Sequence, residues 1–392
     1  MYYTQKTKVI MELNTDQKTA IHEAAMQNFS IITGGAGTGK TSIIKEITEQ
    51  ATNPRLCCFA GKAAARLREA TGMETSTIHS LLGFDGTGFR NTGLERVTVI
   101  IDEASMVNSN LIAEIIKRKP AKLVLVGDEA QLPPVGGGQP FHDLIKLRPD
   151  SVTNLSICYR NKEAVFKAAM KIRNGEAPLK KDKSDGESWE IRHTGDSDQT
   201  IETLLTWIKA GAMDFERDII LSSKNEFVDK ANEEILKIVN PHEDGEKWKQ
   251  GDRVMCLKNA PDIDTWNGTT GTITGIDDRG WAWVKGDIPF VVDGIAEDEI
   301  LWDKAVLKNC KHAYALTVHK SQGSQYRRVI FCSFQVDVRT ILSRSLIYTA
   351  VTRTKKNCIV IGNSHAFYTG IKIVKDRNTV IQELSKVKGG GE

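Results

Sequence analysis

The chain has no apolar run long enough to cross a membrane. Its longest apolar runs, Val97 to Ile101 and Leu123 to Val126, have the length of a strand, whereas a membrane-spanning helix needs about 20 residues. The first residues, Met1 to Lys6, also lack the apolar core and cleavage site of a secretory signal. The sequence therefore predicts a cytoplasmic protein that does not associate with membranes.

The cysteines do not form a pattern that is typical of cross-links or metal centres. There are seven, an odd number, and no two form a CxxC pair, which argues against a disulfide framework, a zinc site or an iron–sulfur cluster. The net charge is only +3, so overall charge does not favour a polyanionic partner. The function must therefore be sought in motifs.

The first 150 residues alternate strand-like and helix-like patterns, which is typical of a parallel sheet with crossover helices. Residues 1–150 are therefore predicted to form one α/β domain. Ligands of such sheets bind at the carboxyl ends of the strands. The predicted strands are Phe29–Thr33, Leu56–Phe59, Val97–Ile101 and Leu123–Val126.

A second α/β domain is predicted from residues 151–250 and 311–392, with buried strands near Asp218, Arg328 and Cys358. Between these two segments, residues 251–310 carry short alternating stretches separated by Asn-Gly and Asp-Gly turns. Such spacing is typical of antiparallel hairpins. We expect a small β-barrel inserted into the second domain.

Gly34 to Thr41 matches G-x-x-x-x-G-K-[ST] between a predicted strand and a predicted helix. Glycines allow backbone N–H groups to surround phosphates, and the helix N-terminus attracts negative charge. Lys40 should meet the β- and γ-phosphates of ATP, and the Thr41 hydroxyl should ligate Mg²⁺. We expect the phosphate-binding amides to be those of Gly35, Gly37, Thr38 and Gly39.

Two adjacent carboxylates, Asp102 and Glu103, follow the buried strand that ends at Ile101. Buried carboxylates are costly unless they hold a cation or activate water. We expect Asp102 to hold Mg²⁺ and Glu103 to act as the base for the attacking water.

These residues and those that follow resemble the motifs of superfamily 1 helicases, in the branch that contains the RecD and Dda helicases. The resemblance runs from about Leu13 to Gly362, and the motifs occur in the family's order. It implies that Gln17 reads the adenine edge. The resemblance also implies that Gln131 senses the γ-phosphate, because it ends the matched stretch Gly127-Asp-Glu-Ala-Gln131.

The resemblance also implies residues that act from the second domain. Leu155 to Arg160 and Tyr348 to Arg353 resemble two motifs that end in arginine fingers, so Arg160 and Arg353 would stabilise charge on the γ-phosphoryl group. Gly323 and Gln325, in the stretch Ala315 to Tyr326, would contact the nucleotide. At residues 324–326 the branch usually has Ser-Glu-Phe, whereas this chain has Ser-Gln-Tyr.

A single-strand track is implied by three further motifs. Gly61 and Lys62 belong to the first, although Phe59-Ala60 replaces the branch's Pro-Thr. Small polar side chains and free amides suit a strand whose phosphates are held without sequence readout. The remaining contacts would come from Thr77, His79, Thr317 and His319.

Residues 83–95 stand where the family has a strand-separating hairpin, or pin. Phe84 or Phe89 would act as a wedge that unstacks a base pair, and a glycine-rich surface loop is an equal alternative. The inserted barrel resembles the family's SH3-like domain. Trp281 and Trp283 alternate with Ala282, which places both on one face, and we interpret that face as the barrel core rather than a stacking platform.

The prediction is thus an α/β protein with two RecA-like parallel-sheet domains, an inserted SH3-like β-barrel and a short hairpin. It is a compact, phage-type DNA helicase that uses ATP and Mg²⁺, and the resemblance implies 5′-to-3′ movement. Its partners are single-stranded DNA and single-strand/duplex junctions, with single-strand-binding, replication or recombination proteins as further candidates, and it is expected to be a monomer. The alternatives are an RNA helicase of the same superfamily and an ATP-gated accessory clamp.

Overall fold

The computed structural model describes residues 13–91, 93–157, 163–184 and 186–375. Among these residues, no helix combines the length and the apolar character that a membrane span requires. The elements fall into two parallel-sheet units and one antiparallel sheet.

The first unit alternates strands and helices as the sequence predicts, with ends that differ by one or two residues from those expected. Its helices are α1 (Thr15–Met26), α2 (Lys40–Gln50), α3 (Gly61–Thr71), α4 (Ile78–Leu81), α5 (Ser109–Lys117) and α6 (Pro140–Leu147). Its strands are β1 (Phe29–Gly34), β2 (Pro54–Cys58), β3 (Thr75–Thr77), β4 (Thr98–Asp102), β5 (Lys122–Gly127) and β6 (Val152–Leu155).

The six strands form one parallel sheet in the order β3-β2-β4-β5-β1-β6. The central strands are rich in Val, Ile and Leu and are buried on both faces, because crossover helices cover each side of a parallel sheet. The carboxyl ends of β1, β4 and β5 therefore meet along one edge, where Gly34, Asp102 and Gly127 lie.

The second unit is built in the same way around another six-stranded sheet, in the order β15-β9-β16-β17-β8-β7. Only β7 runs antiparallel to its neighbour. Its helices are α7 (Ala164–Arg173), α8 (Ser197–Lys209), α9 (Asn225–Val239), α11 (Gln335–Val338), α12 (Arg344–Thr352) and α13 (Ser364–Lys372), whereas α10 (Lys304–Lys308) lies within residues 251–310 and packs in the core of that segment. Its strands are β7 (Lys181–Ser184), β8 (Glu187–His193), β9 (Asp218–Ser222), β15 (Ala315–Thr317), β16 (Tyr326–Ser333) and β17 (Thr354–Gly362).

Between α9 and β15 the chain forms a separate antiparallel sheet, which we call the inserted sheet. Its five strands follow the order β13-β12-β11-β10-β14. They are β10 (Arg253–Cys256), β11 (Thr270–Ile276), β12 (Ala282–Val292), β13 (Ile295–Trp302) and β14 (Cys310–His312). The strand order is that of an open sheet, and its SH3-like barrel character stays a prediction.

The orientation predicted for Trp281 and Trp283 is wrong. Ala282 and Val284, on either side of Trp283 in β12, are buried in the apolar core of the inserted sheet together with Phe290. Trp283 is 46% exposed, and the Arg279 guanidinium lies 4.1 Å from the centre of the Trp281 ring. Alternation along a strand predicts which side chains share a face, but it cannot show which face is covered.

Candidate functional site

The glycine loop leaves β1 at Gly34 and enters α2 at Lys40. Gly37 and Gly39 have φ values of +80° and +83°, a conformation that favours glycine because it has no Cβ. No side chain caps the N-terminus of α2. The first N–H groups of the helix therefore stay available for an anion, as a phosphate-binding loop requires.

Lys40 and Gln17 hold this loop from inside the first unit. The Lys40 ammonium donates to the carbonyls of Gly34 (2.7 Å) and Gly35 (2.9 Å). Gln17 is buried, forms a capping box with Asn14 and donates from Nε2 to the Thr38 carbonyl at 3.1 Å. In this structure Gln17 positions the loop, and its adenine contact stays a prediction.

Asp102 ends β4, and Glu103 follows in a left-handed backbone conformation with φ of +51°. Such a conformation is strained for a residue other than glycine and is often found at functional sites. The Glu103 amide donates to Asp102 Oδ1 at 2.8 Å. Desolvation and the Glu103 carboxylate raise the pKa of the Asp102 carboxyl well above its usual range, whereas Lys40 opposes the rise.

The second unit completes this edge through Arg353, which follows α12. Its Nη2 donates to Gln131 Oε1 at 3.0 Å, and its Nη1 lies 4.0 Å from Glu103 Oε1. Arg353 and Gln131 are each at most 5% exposed. A buried guanidinium therefore joins the two units beside the carboxylates of the first, although 222 residues separate it from Gln131.

Tyr348 and Arg173 also reach the loop from the second unit. The Tyr348 hydroxyl donates to Asp128 Oδ2 at 2.8 Å and accepts from the Ala36 amide at 3.4 Å. A Cβ on Gly35 would come within 2.9 Å of Arg173 Nη1. Both side chains therefore lie directly against the glycine loop.

Thr77 and Thr317 occupy equivalent places in the two units. Each ends an edge strand, β3 or β15, of its six-stranded sheet. Thr77 Oγ1 accepts from the Ser80 amide at 3.1 Å, and Thr317 Oγ1 accepts from the Lys320 amide at 3.4 Å. Both hydroxyls thus cap the turn that starts next to them, and both residues are followed two positions later by a half-buried histidine, His79 or His319.

His79 belongs to an aromatic cluster at the predicted hairpin. Its ring centre lies 5.6 Å from that of Phe84 and 6.2 Å from that of Phe89. Phe84 and Phe89 pair as an isolated antiparallel bridge, and Phe84 remains 48% exposed. Burial lowers the pKa of His79, which favours its neutral form. The cluster offers an aromatic surface of the kind on which bases stack.

Gly61 and Lys62 lie under the inserted sheet. A Cβ on Gly61 would meet the Trp266 ring at 2.2 Å, so only glycine permits this contact. Lys62 is 6% exposed and donates to Thr270 Oγ1 at 2.8 Å, and burial lowers its pKa to about 8. Both residues make a contact between domains here, and their contact with a nucleic-acid strand stays a prediction.

Gly323 and Gln325 face Arg66 of α3. Arg66 donates from Nη1 to the Gly323 carbonyl at 3.2 Å and from Nη2 to Gln325 Oε1 at 3.1 Å. Gly323 has φ of +74°, and a Cβ there would lie 3.0 Å from Ala63. The structure therefore brings these residues against the first unit, and their predicted nucleotide contact stays a prediction.

Comparisons with known proteins show the family of this chain. An AAA domain family matches residues 12–202, and the UvrD-like helicase C-terminal domain matches residues 312–361. The RecBCD enzyme subunit RecD of Mycolicibacterium smegmatis is 30% identical over 408 residues, covering 88% of this chain and 70% of that protein. This chain belongs to the RecD family of superfamily 1 helicases.

The RecD family also includes longer proteins. The ATP-dependent RecD2 DNA helicase of Deinococcus radiodurans is 30% identical over 388 residues, covering 95% of this chain but only 52% of that helicase. The chain thus spans about half the length of this relative. Among solved structures, the Pif1 helicase from Bacteroides, in complex with ADP-AlF3 and ssDNA, superimposes with a TM-score of 0.60 at 20% identity over 97% of this chain and 98% of that one. That likeness concerns the fold.

For a RecD-family chain, the donors at this edge fit Mg²⁺. Thr41, at the start of α2, and Asp102, at the end of β4, supply the hydroxyl and carboxylate oxygens that this cation prefers. Glu103 Oε2 is buried and has no hydrogen-bond partner among the described residues. An unpaired buried carboxylate oxygen is available to accept a hydrogen bond from a water molecule, as a general base requires.

Of the two arginine fingers expected from the family resemblance, Arg353 lies beside Gln131 and Glu103, and its role as a finger stays a prediction. Arg160 lies outside the described residues. The sequence did not identify Arg173 as a candidate, because it ends the amphipathic helix α7, where an arginine in the last turn is ordinary. Only its spatial approach to Gly35 distinguishes it.

Proposed function

We propose that this RecD-family chain is an ATP-dependent DNA helicase that moves 5′ to 3′ along single-stranded DNA and unwinds duplexes. The observation that supports this most directly is the contact of Arg353 with Gln131 beside Glu103. It joins the nucleotide edge of one RecA-like unit to a cation of the other. Closure of the cleft and hydrolysis thereby depend on the same side chain.

In the proposed reaction, the loop amides and Lys40 bind the phosphates of ATP. Thr41 and Asp102 would hold Mg²⁺, which neutralises charge on the β- and γ-phosphates. Glu103 orients the attacking water and accepts its proton. Arg353 stabilises the charge that builds on the γ-phosphoryl group, an interaction that strengthens toward the transition state.

Gln131 is the proposed link between hydrolysis and movement. It follows β5 and accepts from the Arg353 guanidinium, while the next residue, Leu132, donates its amide to Thr349 Oγ1 at 2.9 Å. A change in phosphate state that moves Arg353 would therefore move the second unit relative to the first. Thr77 and Thr317, on equivalent edge strands, would then contact the DNA backbone in alternation.

The hairpin around Phe84 is proposed as the pin. Asp85 Oδ1 accepts from the amides of Thr87 and Gly88, at 2.9 Å and 3.0 Å, which fixes the turn between the two phenylalanines. An exposed ring on a fixed turn can unstack a base pair. We propose single-strand/duplex junctions in the cytoplasm as the substrate and a monomer as the acting form.

Strand-displacement assays on matched duplexes with a 5′ or a 3′ overhang test this proposal. We expect unwinding from the 5′ overhang and ATPase activity that single-stranded DNA stimulates. Preference for the 3′ overhang would contradict the direction. An ATPase that DNA does not stimulate would favour an accessory clamp, and faster unwinding of a matched RNA duplex would favour an RNA substrate.

The pin is tested separately with Phe84→Ala. We expect DNA-stimulated ATPase activity to stay within about twofold while unwinding falls by about 10-fold, because loss of one stacking contact costs roughly 1–3 kcal/mol. Ile116→Ala, which removes a side chain that is 52% exposed on α5 of the same domain, is the matched control. Equal unwinding by the two variants would assign residues 83–95 to a surface loop.

A further inference from the structure

Two histidines and an aspartate meet at the stem of the inserted sheet, far along the chain from the ATP edge. His242 and Asp252 lie on the segment that leads from α9 into β10, and His312 ends β14. The three side chains therefore come from both sides of the insertion. Among the described residues, this is the group of histidine, cysteine and carboxylate side chains whose ligand atoms converge.

The spacing of the ligand atoms suits a small cation. His242 Nε2 lies 3.0 Å from Asp252 Oδ1, and His312 Nε2 lies 3.4 Å from Asp252 Oδ2. All three ligand atoms fall within 4.8 Å of one another. Ligands bound 2.0–2.1 Å from a tetrahedral zinc ion are about 3.3 Å apart, so binding requires only a small adjustment of the two rings.

The hydrogen bonds around the cluster show which nitrogen of His242 is available to a ligand. His242 Nδ1 lies 3.2 Å from the Glu246 carbonyl, a contact in which this nitrogen must donate. In a neutral ring the Nε2 lone pair would then face the Asp252 carboxylate. A metal ion bound to that lone pair would lie between the ring and the carboxylate, where both can act as ligands.

Asp252 supplies the negative charge. Its carboxylate is fully buried and also accepts from Asn240 Nδ2 at 2.9 Å and from the Lys249 amide at 2.8 Å. These two donors orient the carboxylate, and the Glu246 carbonyl orients His242. Outer contacts of this kind, to a backbone carbonyl on one imidazole nitrogen and to the carboxylate, accompany metal ligands in proteins.

We propose that His242 Nε2, His312 Nε2 and the Asp252 carboxylate bind one zinc-class divalent ion, with water as the remaining ligand. Two imidazoles and one carboxylate are a ligand set that zinc accepts. The lack of CxxC pairs in the sequence argues only against a zinc site with cysteine ligands, and this site has none. The ion joins the segment that leads from α9 into the inserted sheet to β14, the strand by which the chain leaves it.

The test is titration of the full chain with Zn²⁺ alone, after dialysis against a chelator, removal of any affinity tag and addition of excess Mg²⁺ to occupy the ATP edge. Calorimetry should show one zinc ion per chain, and Co²⁺ should give the visible absorption of a tetrahedral, nitrogen-ligated site. His242→Gln and His312→Gln should each weaken binding by more than the roughly 10–100-fold that loss of an outer contact costs.

His193→Gln is the matched control, because His193 is exposed in the same RecA-like unit and contacts Ser364 instead of the cluster. It should bind zinc as the parent does. Far-UV circular dichroism and thermal unfolding of the metal-free glutamine variants serve as the check that they fold. Absence of stoichiometric binding, or binding that both cluster variants retain, would overturn the site and leave only a hydrogen-bonded His–Asp–His network.

Discussion

In both RecA-like units the first five strands of the sheet follow the same order, counted along the chain from β1 and from β8, yet among the described residues only the first unit carries the phosphate-loop motif. In the first sheet, β1 occupies the fifth place and leads through Gly34–Thr41 into α2; in the second, β8 occupies the same place and leads into α8. The N-terminus of α2 has no side-chain cap, whereas Asp196 caps α8 and accepts from the amides of Asp198 and Gln199, each at 3.0 Å.

This comparison shows how one topology yields two roles. A helix N-terminus binds phosphate only where its N–H groups remain free, and in the second unit a carboxylate already satisfies them. The second unit contributes Arg353 instead, from the helix between β16 and β17. Each unit also has an edge strand that ends in threonine, Thr77 in the first unit and Thr317 in the second.

The largest effect that tests this comparison is expected for Lys40→Ala. Loss of the ammonium at the phosphates should lower the ATPase rate by at least about 10²–10³-fold, the cost of one group that stabilises developing charge, while some DNA binding remains. Steady-state ATPase and DNA-binding assays measure both. Ser197→Ala changes the first residue of α8, the equivalent position in the second unit, and should alter the rate less than about twofold. Full activity of the Lys40 variant would contradict the assignment of the loop.

Arg353→Ala should lower the ATPase rate nearly as much, although Arg353 belongs to the second unit. We expect turnover to fall by roughly 10³-fold or more, as for other arginine fingers, with far less change in nucleotide affinity. Turnover and the dissociation constant of a fluorescent nucleotide are measured together. Lys356→Ala, an exposed residue nearby in β17, is the control. Equal losses of turnover and affinity would assign Arg353 to ground-state binding.

The smallest effect is expected for Asp196→Ala. Loss of the cap should lower the free energy of unfolding by about 1 kcal/mol and leave ATP affinity unchanged, because this helix end does not bind phosphate. Urea denaturation measures the change, and Asp196→Asn, which can still cap, should lose less. A lowered ATP affinity in the alanine variant would break the proposed division of roles between the two units.

Much of the fold could be predicted from local pattern. The strands around Ile31, Val99 and Leu125 are short apolar runs, and the helix starts and glycine turns lie next to them in sequence. The phosphate loop and the pair Asp102–Glu103 were recognisable for the same reason, since their chemistry is contained in a few consecutive residues. The face of β12 that is buried was not predictable, because it depends on what the strand packs against.

The sequence alone determined the parallel-sheet units, the nucleotide loop and the family to which the chain belongs, because these depend on short-range spacing and on consecutive residues. Only the tertiary structure decided which side chains meet. It brought Arg353 to Gln131, Arg173 to the glycine loop, Trp266 onto Gly61, and His312 to Asp252. Each of these contacts joins residues that are distant in the chain, and their proximity follows from the packing of sheets and domains rather than from any local pattern.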